Sequence, residues 1–514
     1  MRSPDAVRNF RGVFRTDAEA RAVYSESAGI QRIIPAAIAV PVDVDDLIAL
    51  IEWGKQEGAS FIPRGSGSSM AGGAVGPGVI VDLSRWKNIG EIQDRSVTVQ
   101  PGAICAEVQR IARLKGLRFP VSPSSAPFCT IGGMAATNAA GAHTLRYGAM
   151  RDWVKAIEWV GAGGHRERSE RSALRQEKQI LRFTQDDKVR KNSSGYFTDG
   201  DEVDLLVGSE GTLGFFTSIE LRLADEPKST ASVMGVFSSL EAATGAAIRA
   251  RESGAAACEL LDKTFLEFAS VGSAEAILIA DAEGNDEGEA AAIAERIVDG
   301  FTAAGATDAR LAETREERDH LWEMRHAASP MLTRMGEHIK SMQVVEDGCV
   351  PPARLGDYVA GLRRAYDNNR IRGVIFGHAG DAHVHANALV DVREPDWRPR
   401  VEALLDEVTS LVAALGGTLS GEHGDGRLRT PLLSKTTPAE RLTEFGEIKR
   451  RYDPDGLLNP GVKVRAEGRE GGSASGIGDI KHDLALPRHP DAAIRALKHV
   501  ERERAYSDFR LSLL

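Results

Sequence analysis

Four of the chain's 12 histidines lie in two short runs, Gly377-His378-Ala379-Gly380-Asp381-Ala382-His383-Val384-His385-Ala386-Asn387 and Ser420-Gly421-Glu422-His423-Gly424-Asp425-Gly426. Glycine lets backbone crowd in, while imidazoles and carboxylates supply metal ligands or bases. Strand alternation from Val384 to Val390 puts His383, His385 and Asn387 on one face, and a turn at Gly380-Asp381 brings His378 back towards them. Two imidazoles and a carboxylate with an open position suit a divalent metal acting as a Lewis acid. Glu422 is the best carboxylate for it, which leaves His423 as a free base. The other reading is a hydrogen-bonded polar core.

Three glycine-rich islands in the first half carry a second kind of chemistry. Pro63-Arg64-Gly65-Ser66-Gly67-Ser68-Ser69 follows a short apolar run and can curl backbone N–H groups round an anion. It has neither the Gly-Lys-Ser/Thr of a P-loop nor the frame of a dinucleotide fingerprint. The second island runs from Pro120 through Pro123, Ser124, Thr130, Gly132, Gly133, Ala136, Thr137, Asn138 and Gly141 to Gly148. It has no large aliphatic side chain just after Met134, so a flat, extended ligand could lie on its backbone. The third, Asp204 to Gly214, holds Glu210 and Gly211 and leads into a strand containing Ile219.

The elements that must position these groups alternate along the chain. Residues 78–83 and 96–102 read as strands, and 43–57 and 103–115 as helices. After Leu223 come strands at 232–237 and 276–280, helices from Ser239 and over 286–304, strands flanking the first histidine cluster, and a helix at 397–415. These imply an α+β second domain with helices on one face of an antiparallel sheet. The charged stretch 165–191 reads as a solvated loop or insertion, and 466–478 as a linker. The segment 490–514 reads as an amphipathic tail helix, packed on its own domain or docking a partner. The expected organisation is a first domain at 1–225 that carries the glycine islands, a cap at 226–440, a return segment at 441–465, and a linker with tail helix at 466–514.

At 514 residues two or three domains are expected, and a formal net charge of −10 argues against a general nucleic-acid binder. The cysteines Cys105, Cys129, Cys258 and Cys349 have no cluster spacing, so this chain alone is not expected to hold an iron–sulfur centre. No apolar run is long enough to cross a bilayer. The expected location is cytoplasmic, with peripheral contact at the inner face of the membrane as an option.

Taken in order, Arg-Gly-Ser-Gly-Ser at 64–68, Ile-Gly-Gly…Thr-Asn-Ala…Gly at 131–141 and Gly-Ser-Glu-Gly-Thr-Leu-Gly at 208–214 resemble the vanillyl-alcohol-oxidase type of flavoprotein. That resemblance implies FAD held extended by two α+β subdomains. Ser68 stands where relatives with covalent flavin carry histidine, which implies non-covalent FAD. The pattern at 377–387, Ser-Gly-Glu-His-Gly at 420–424 and Tyr-Asp-Pro-x-x-x-Leu-Asn-Pro-Gly at 452–461 is similar to the FAD-linked D-2-hydroxy acid dehydrogenases.

Carried across by motif, His378, His385 and Glu422 match the metal ligands, with zinc the expected ion. His423 matches the proton-abstracting base, Asn387 a substrate contact and Arg325 the arginine that grips the substrate carboxylate. Asn459 belongs to a return segment closing over the flavin. The implied reaction oxidises D-lactate, glycolate or D-2-hydroxyglutarate to the 2-oxo acid by hydride transfer to flavin.

The chain departs from the family pattern at Ala382-His383, where Gly-Asn is usual, and at Glu346-Asp347, where some relatives carry a nearby lysine. Glu346-Asp347 is more like relatives working with an iron–sulfur module, so a separate iron–sulfur subunit or a quinone or cytochrome acceptor is implied. The alternatives are a flavin oxidase or alkyl-glycerone-phosphate-synthase-like enzyme, a metallohydrolase, and a non-catalytic electron-transfer subunit.

Overall fold

The computed structural model describes residues 7, 9–171, 189–327, 331–332, 338–465 and 477–514. Its first sheet joins β1 (Val13–Arg15), β2 (Ala37–Val40), β3 (Phe61–Arg64) and β4 (Val79–Asp82) in the order β1-β2-β4-β3, parallel except for the β1–β2 pair. The helix Val44–Glu57 connects β2 to β3. It starts where Asp43 accepts hydrogen bonds from the N–H groups of Asp45 and Asp46, and ends at left-handed Gly58. Its Leu47, Leu50, Ile51 and Trp53 pack on β2–β4.

The second subdomain uses β5 (Ser96–Val99), β6 (Leu117–Arg118), β7 (Val154–Val160), β8 (Arg166–Glu170), β9 (Phe215–Arg222) and β10 (Ala224–Asp225). Four of them form an antiparallel sheet in the order β5-β9-β7-β8, and β6 pairs with β10. The strand β8 corrects the reading of 165–191 as loop throughout. It is an edge strand with only Ser169 buried, so it lacks the apolar alternation that marks a strand in sequence. Residues 172–188 of that stretch lie outside the described residues.

The cap is one seven-stranded sheet of β11 (Ser229–Phe237), β12 (Ala257–Asp262), β13 (Ala276–Gly284), β14 (Asp308–Leu311), β15 (Ile339–Met342), β16 (Arg372–Gly377) and β17 (His385–Asp391). Its order is β14-β11-β13-β12-β16-β17-β15, every pair antiparallel. Helices Leu240–Glu252, Glu287–Ala303, Leu355–Asn368 and Trp397–Ala414 contribute to the core on one face. The helix Arg315–His326 brings Leu321 and Met324 to a smaller core with Val374 and Phe376. The fold is thus the expected α+β arrangement with an antiparallel cap sheet.

The tail forms a helix over Asp491–Glu503 and a short 3-10 turn over Arg510–Leu513. Ala493 and Ala496 bury against Ala22, Val23 and Tyr24, so this apolar face is covered by the chain itself. Most of the expected linker, 466–476, lies outside the described residues. Among the described residues no helix is long and apolar enough to cross a membrane.

Candidate functional site

Between the FAD-type subdomains and the cap lies a cavity of about 300 Å³. Its wall is continuous from residues 63–69 through 122–142 and 210–216 to the histidine clusters and Arg325. The glycine islands and the histidines therefore face one space.

The island side suits an extended cofactor. Gly65 must lack a side chain, because a Cβ there would lie 2.2 Å from the Thr130 hydroxyl. The buried Ser69 hydroxyl has no hydrogen-bond partner among the described residues, as suits a group that meets a ligand. The Arg64 guanidinium instead donates to the carbonyls of Tyr24, Ala74 and Glu26 at 2.9–3.2 Å, so it braces the loop from beneath.

Of the other expected cofactor residues, Pro63, Ser66, Gly67, Ser68, Pro123, Ser124, Gly132, Gly133, Ala136, Thr137, Glu210 and Gly211 line the cavity. Asn138, Gly141, Gly148, Ile219 and Asn459 stand behind its wall. Asn138 caps the helix Ile131–Thr137 with φ 51° and accepts from the Arg151 N–H. Ile219 points into the subdomain core. Asn459 is fully buried and donates to the carbonyls of Gly73 at 2.9 Å and Glu210 at 2.8 Å, tying the return segment to two cavity loops.

On the opposite side, β17 presents His385 and Asn387 to the cavity, while Ala386 and Ala388 face the helix-covered core. Gly377 ends β16 at φ 121°, and a Cβ on it would strike the His385 ring at 2.9 Å. That bend delivers His378. Its Nδ1 lies 2.6 Å from Glu259 Oε1, and its Nε2 is 3.3 Å from Glu422 Oε1. The Nδ1–H of His385 donates to the Glu346 carbonyl at 3.0 Å, leaving its Nε2 3.5 Å from the same Glu422 oxygen.

Both imidazoles are thus held by Nδ1 with Nε2 turned to one carboxylate oxygen, as metal-ligating histidines are. Burial, with neighbouring imidazoles, keeps His385 well below the usual histidine range and therefore neutral. Burial opposes ionisation of Glu422, but Lys191 and His378 overcome it and hold the carboxyl well below its usual range. His378, His385 and Glu422 offer ligand atoms within 4.8 Å of one another and could hold a divalent ion.

Four buried groups around this triad were not singled out for a role in the sequence. Glu259, in the middle of β12, receives both His378 and the Arg325 Nε, the latter at 2.5 Å. Its signal was a carboxylate inside the apolar run 255–261. Lys191 Nζ lies 3.0 Å from Glu422 Oε2 and 3.1 Å from the Gly141 carbonyl.

Asp347 is fully buried and accepts from His383 Nε2 at 2.9 Å and the Ser420 hydroxyl at 3.0 Å. It also accepts from the backbone N–H of Glu422 at 3.2 Å and of His423 at 2.9 Å, and so shapes the loop that carries both. His383 therefore braces Asp347. Glu346 pairs with Arg429 and lies 3.3 Å from His423 Nδ1.

Burial lowers the His423 pKa, but Asp347 and Glu346 outweigh it and push the ring up to about 9. Its ring stacks on His385 at 5.3 Å, and its Nε2 lies 3.7 Å from Glu422 Oε1. Arg325 comes from the helix Arg315–His326, which Trp322 anchors to Asp281 at 3.0 Å while stacking on His143. The Asn387 amide lines the cavity and makes no hydrogen bond among the described residues. The site thus has a fixed cation, an uncommitted amide, a ligand triad and a histidine on adjoining walls.

Residues 226–462 match the family described as FAD linked oxidases, C-terminal domain, and residues 35–169 match the FAD binding domain family. The chain is 31% identical to the glycolate oxidase subunit GlcD of Bacillus subtilis, over 88% of this chain and 93% of that one. It is 30% identical to the D-lactate dehydrogenase of Archaeoglobus fulgidus, over 83% and 90%. It is also 30% identical to the D-2-hydroxyglutarate dehydrogenase of Xanthomonas citri, over 83% and 89%. The solved structure of p-cresol methylhydroxylase shares the fold at a TM-score of 0.68 and 14% identity, covering 89% of this chain and 95% of that one.

Proposed function

We propose, from the premise that this chain belongs to the FAD-linked oxidase family of 2-hydroxy acid dehydrogenases, that it oxidises a D-2-hydroxy acid to the 2-oxo acid. Electrons then leave to a separate acceptor. The observation that carries this reading is the convergence of Arg325, Asn387, His423 and the His378–His385–Glu422 triad on one cavity with the glycine islands.

In this reading bound FAD supplies the two-electron acceptor, and a divalent ion, zinc first among candidates, supplies Lewis acidity. The chain's own residues do the rest. Arg325, held by Glu259 through Nε, orients its guanidinium for the substrate carboxylate. The Asn387 amide fixes the substrate's polar head. His423, with Nδ1 turned to Glu346, keeps Nε2 for the hydroxyl proton beside the Glu422 oxygen. A cation held by His378, His385 and Glu422 would offset the carboxylates that raise His423 and favour the neutral ring a base needs.

For the acceptor, an iron–sulfur subunit is the first candidate and a quinone or cytochrome the second. GlcD of Bacillus subtilis is itself named a subunit, and the four cysteines here are buried free thiols.

Anaerobic stopped-flow reduction with glycolate and with the D- and L-isomers of lactate and 2-hydroxyglutarate tests the reading. Flavin bleaching by D-acids, slowed at least tenfold after chelation, is expected. Bleaching by none of them would set the reading aside, and an unaffected rate after chelation would remove the metal from it.

A further inference from the structure

Residues 477–514, beyond both family matches, return to the cavity, where Glu501, Arg504 and Tyr506 line its wall. Ile477 and Ile480 join the cap core, and the Lys481 N–H donates to the Ile30 carbonyl at 2.8 Å. Arg398 of the cap holds the Gly478 carbonyl at 2.6 Å. The segment therefore straps cap to FAD-type domain before its helix packs on Val23 and Tyr24. At the end of that helix, Glu501, Arg504 and Tyr506 enter the cavity wall.

Arg504 is unusual in three respects. It caps the helix at φ 53°, a conformation that favours glycine or asparagine and carries a steric cost for arginine. Its guanidinium lies 4.9 Å from the Phe128 ring centroid, yet the side chain makes no hydrogen bond or ion pair among the described residues. The carboxylate in the same wall, Glu501, lies 3.8 Å from Lys481 and does not neutralise it. A partly buried cation without a counter-ion is costly unless a ligand brings the anion. His326 lines the same cavity, next in sequence to Arg325, its ring tilted at 37° to that of Trp322 with centroids 5.9 Å apart. Burial and the charges of Arg325 and, least of all, Arg504 hold His326 below its usual pKa.

We propose that Arg504 and His326 form a second oxyanion subsite, which takes the distal carboxylate of a dicarboxylic 2-hydroxy acid whose first carboxylate is held by Arg325. This rests on the proposed function and names its substrate class. Arg504 supplies several donors in one plane and His326 an N–H, the donor set a carboxylate accepts best. The strap is then a specificity element as well as a clasp.

The test uses the full-chain holoenzyme, Arg504→Met and Arg504→Lys. The readouts are kcat/KM for D-2-hydroxyglutarate and D-lactate, FAD retention, and the flavin absorbance change on titration with glutarate, a dicarboxylate that cannot be oxidised at C2. In Arg504→Met the ratio of kcat/KM for D-2-hydroxyglutarate over D-lactate should fall at least tenfold through KM, as loss of a charge-assisted contact predicts. Glutarate affinity should fall in parallel, with partial recovery in Arg504→Lys.

A ratio within twofold of the parent's would overturn the proposal. So would loss of FAD alone, which would put Arg504 on the cofactor diphosphate, or a parent that binds no glutarate. Arg504-dependent glutarate binding without flavin reduction by any hydroxy acid would leave the subsite standing and sink the dehydrogenase reading.

Discussion

Lys191 Nζ sits 3.0 Å from Glu422 Oε2, and this contact leaves Oε1 to face Nε2 of both His378 and His385. The lysine is fully buried and lies 231 residues from its partner in sequence. It divides the carboxylate into one oxygen held by the lysine and one left facing the two imidazoles.

Replacing Lys191 by methionine keeps the bulk and removes this division. Metal affinity should fall about 10–100-fold, the usual effect of losing an outer-shell partner. Competition with a chromophoric chelator measures it, and parent-like affinity would show that Glu422 is oriented by its loop alone.

Asp347→Asn should be more disruptive. One acceptor oxygen cannot serve His383, Ser420 and two backbone N–H groups, and the amide would point N–H at N–H. A loss of about 3 kcal/mol in unfolding free energy is expected, on the scale of breaking a buried charged network. Flavin reduction should slow at least 100-fold because Glu422 and His423 lose their loop geometry. Denaturant melts and single-turnover reduction decide this, and a variant within 0.5 kcal/mol of the parent, about the scatter of surface changes, would contradict it.

The contrast between what was and was not legible follows from range. The triad, His423 and Asn387 lie in two compact runs whose glycines and alternation are local signals, and helix starts at Asp43, Ser239 and Asp286 are visible as caps. Lys191 and Asp347 act through partners 36 to 231 residues away and carry no local sign of that role, whereas Glu259 shows only as a carboxylate inside an apolar run. Strand β8 was hidden for the opposite reason. Its solvent-facing edge carries Arg166, Glu167, Arg168 and Glu170, which look like a loop until β7 pairs with them.

Gly377→Ala tests the bend that delivers His378. At φ 121° only glycine is unstrained, and the new methyl would meet the His385 ring at 2.9 Å. A loss of roughly 2 kcal/mol is expected from the backbone alone, together with weakened metal retention as His385 shifts. Unchanged stability with unchanged metal content would mean that β16 can bend another way.

Asp262 caps the helix Lys263–Ala269, accepting from the Phe265 N–H at 2.9 Å, but burial in the cap drives its carboxyl up to about 7. The unfolded chain releases this proton near the ordinary aspartate value of about 3.9. Between those values the folded state binds more protons than the unfolded one, so this group's contribution is complete below about pH 4 and is lost as pH rises through 7. Asp262→Asn mimics the neutral carboxyl and still caps. It should therefore match the parent near pH 4 and exceed it by on the order of 3 kcal/mol at pH 8. Urea unfolding at the two pH values reads the difference. A gap that is the same at both would show that the helix N–H groups solvate the carboxylate well enough to cancel the cost of burying it.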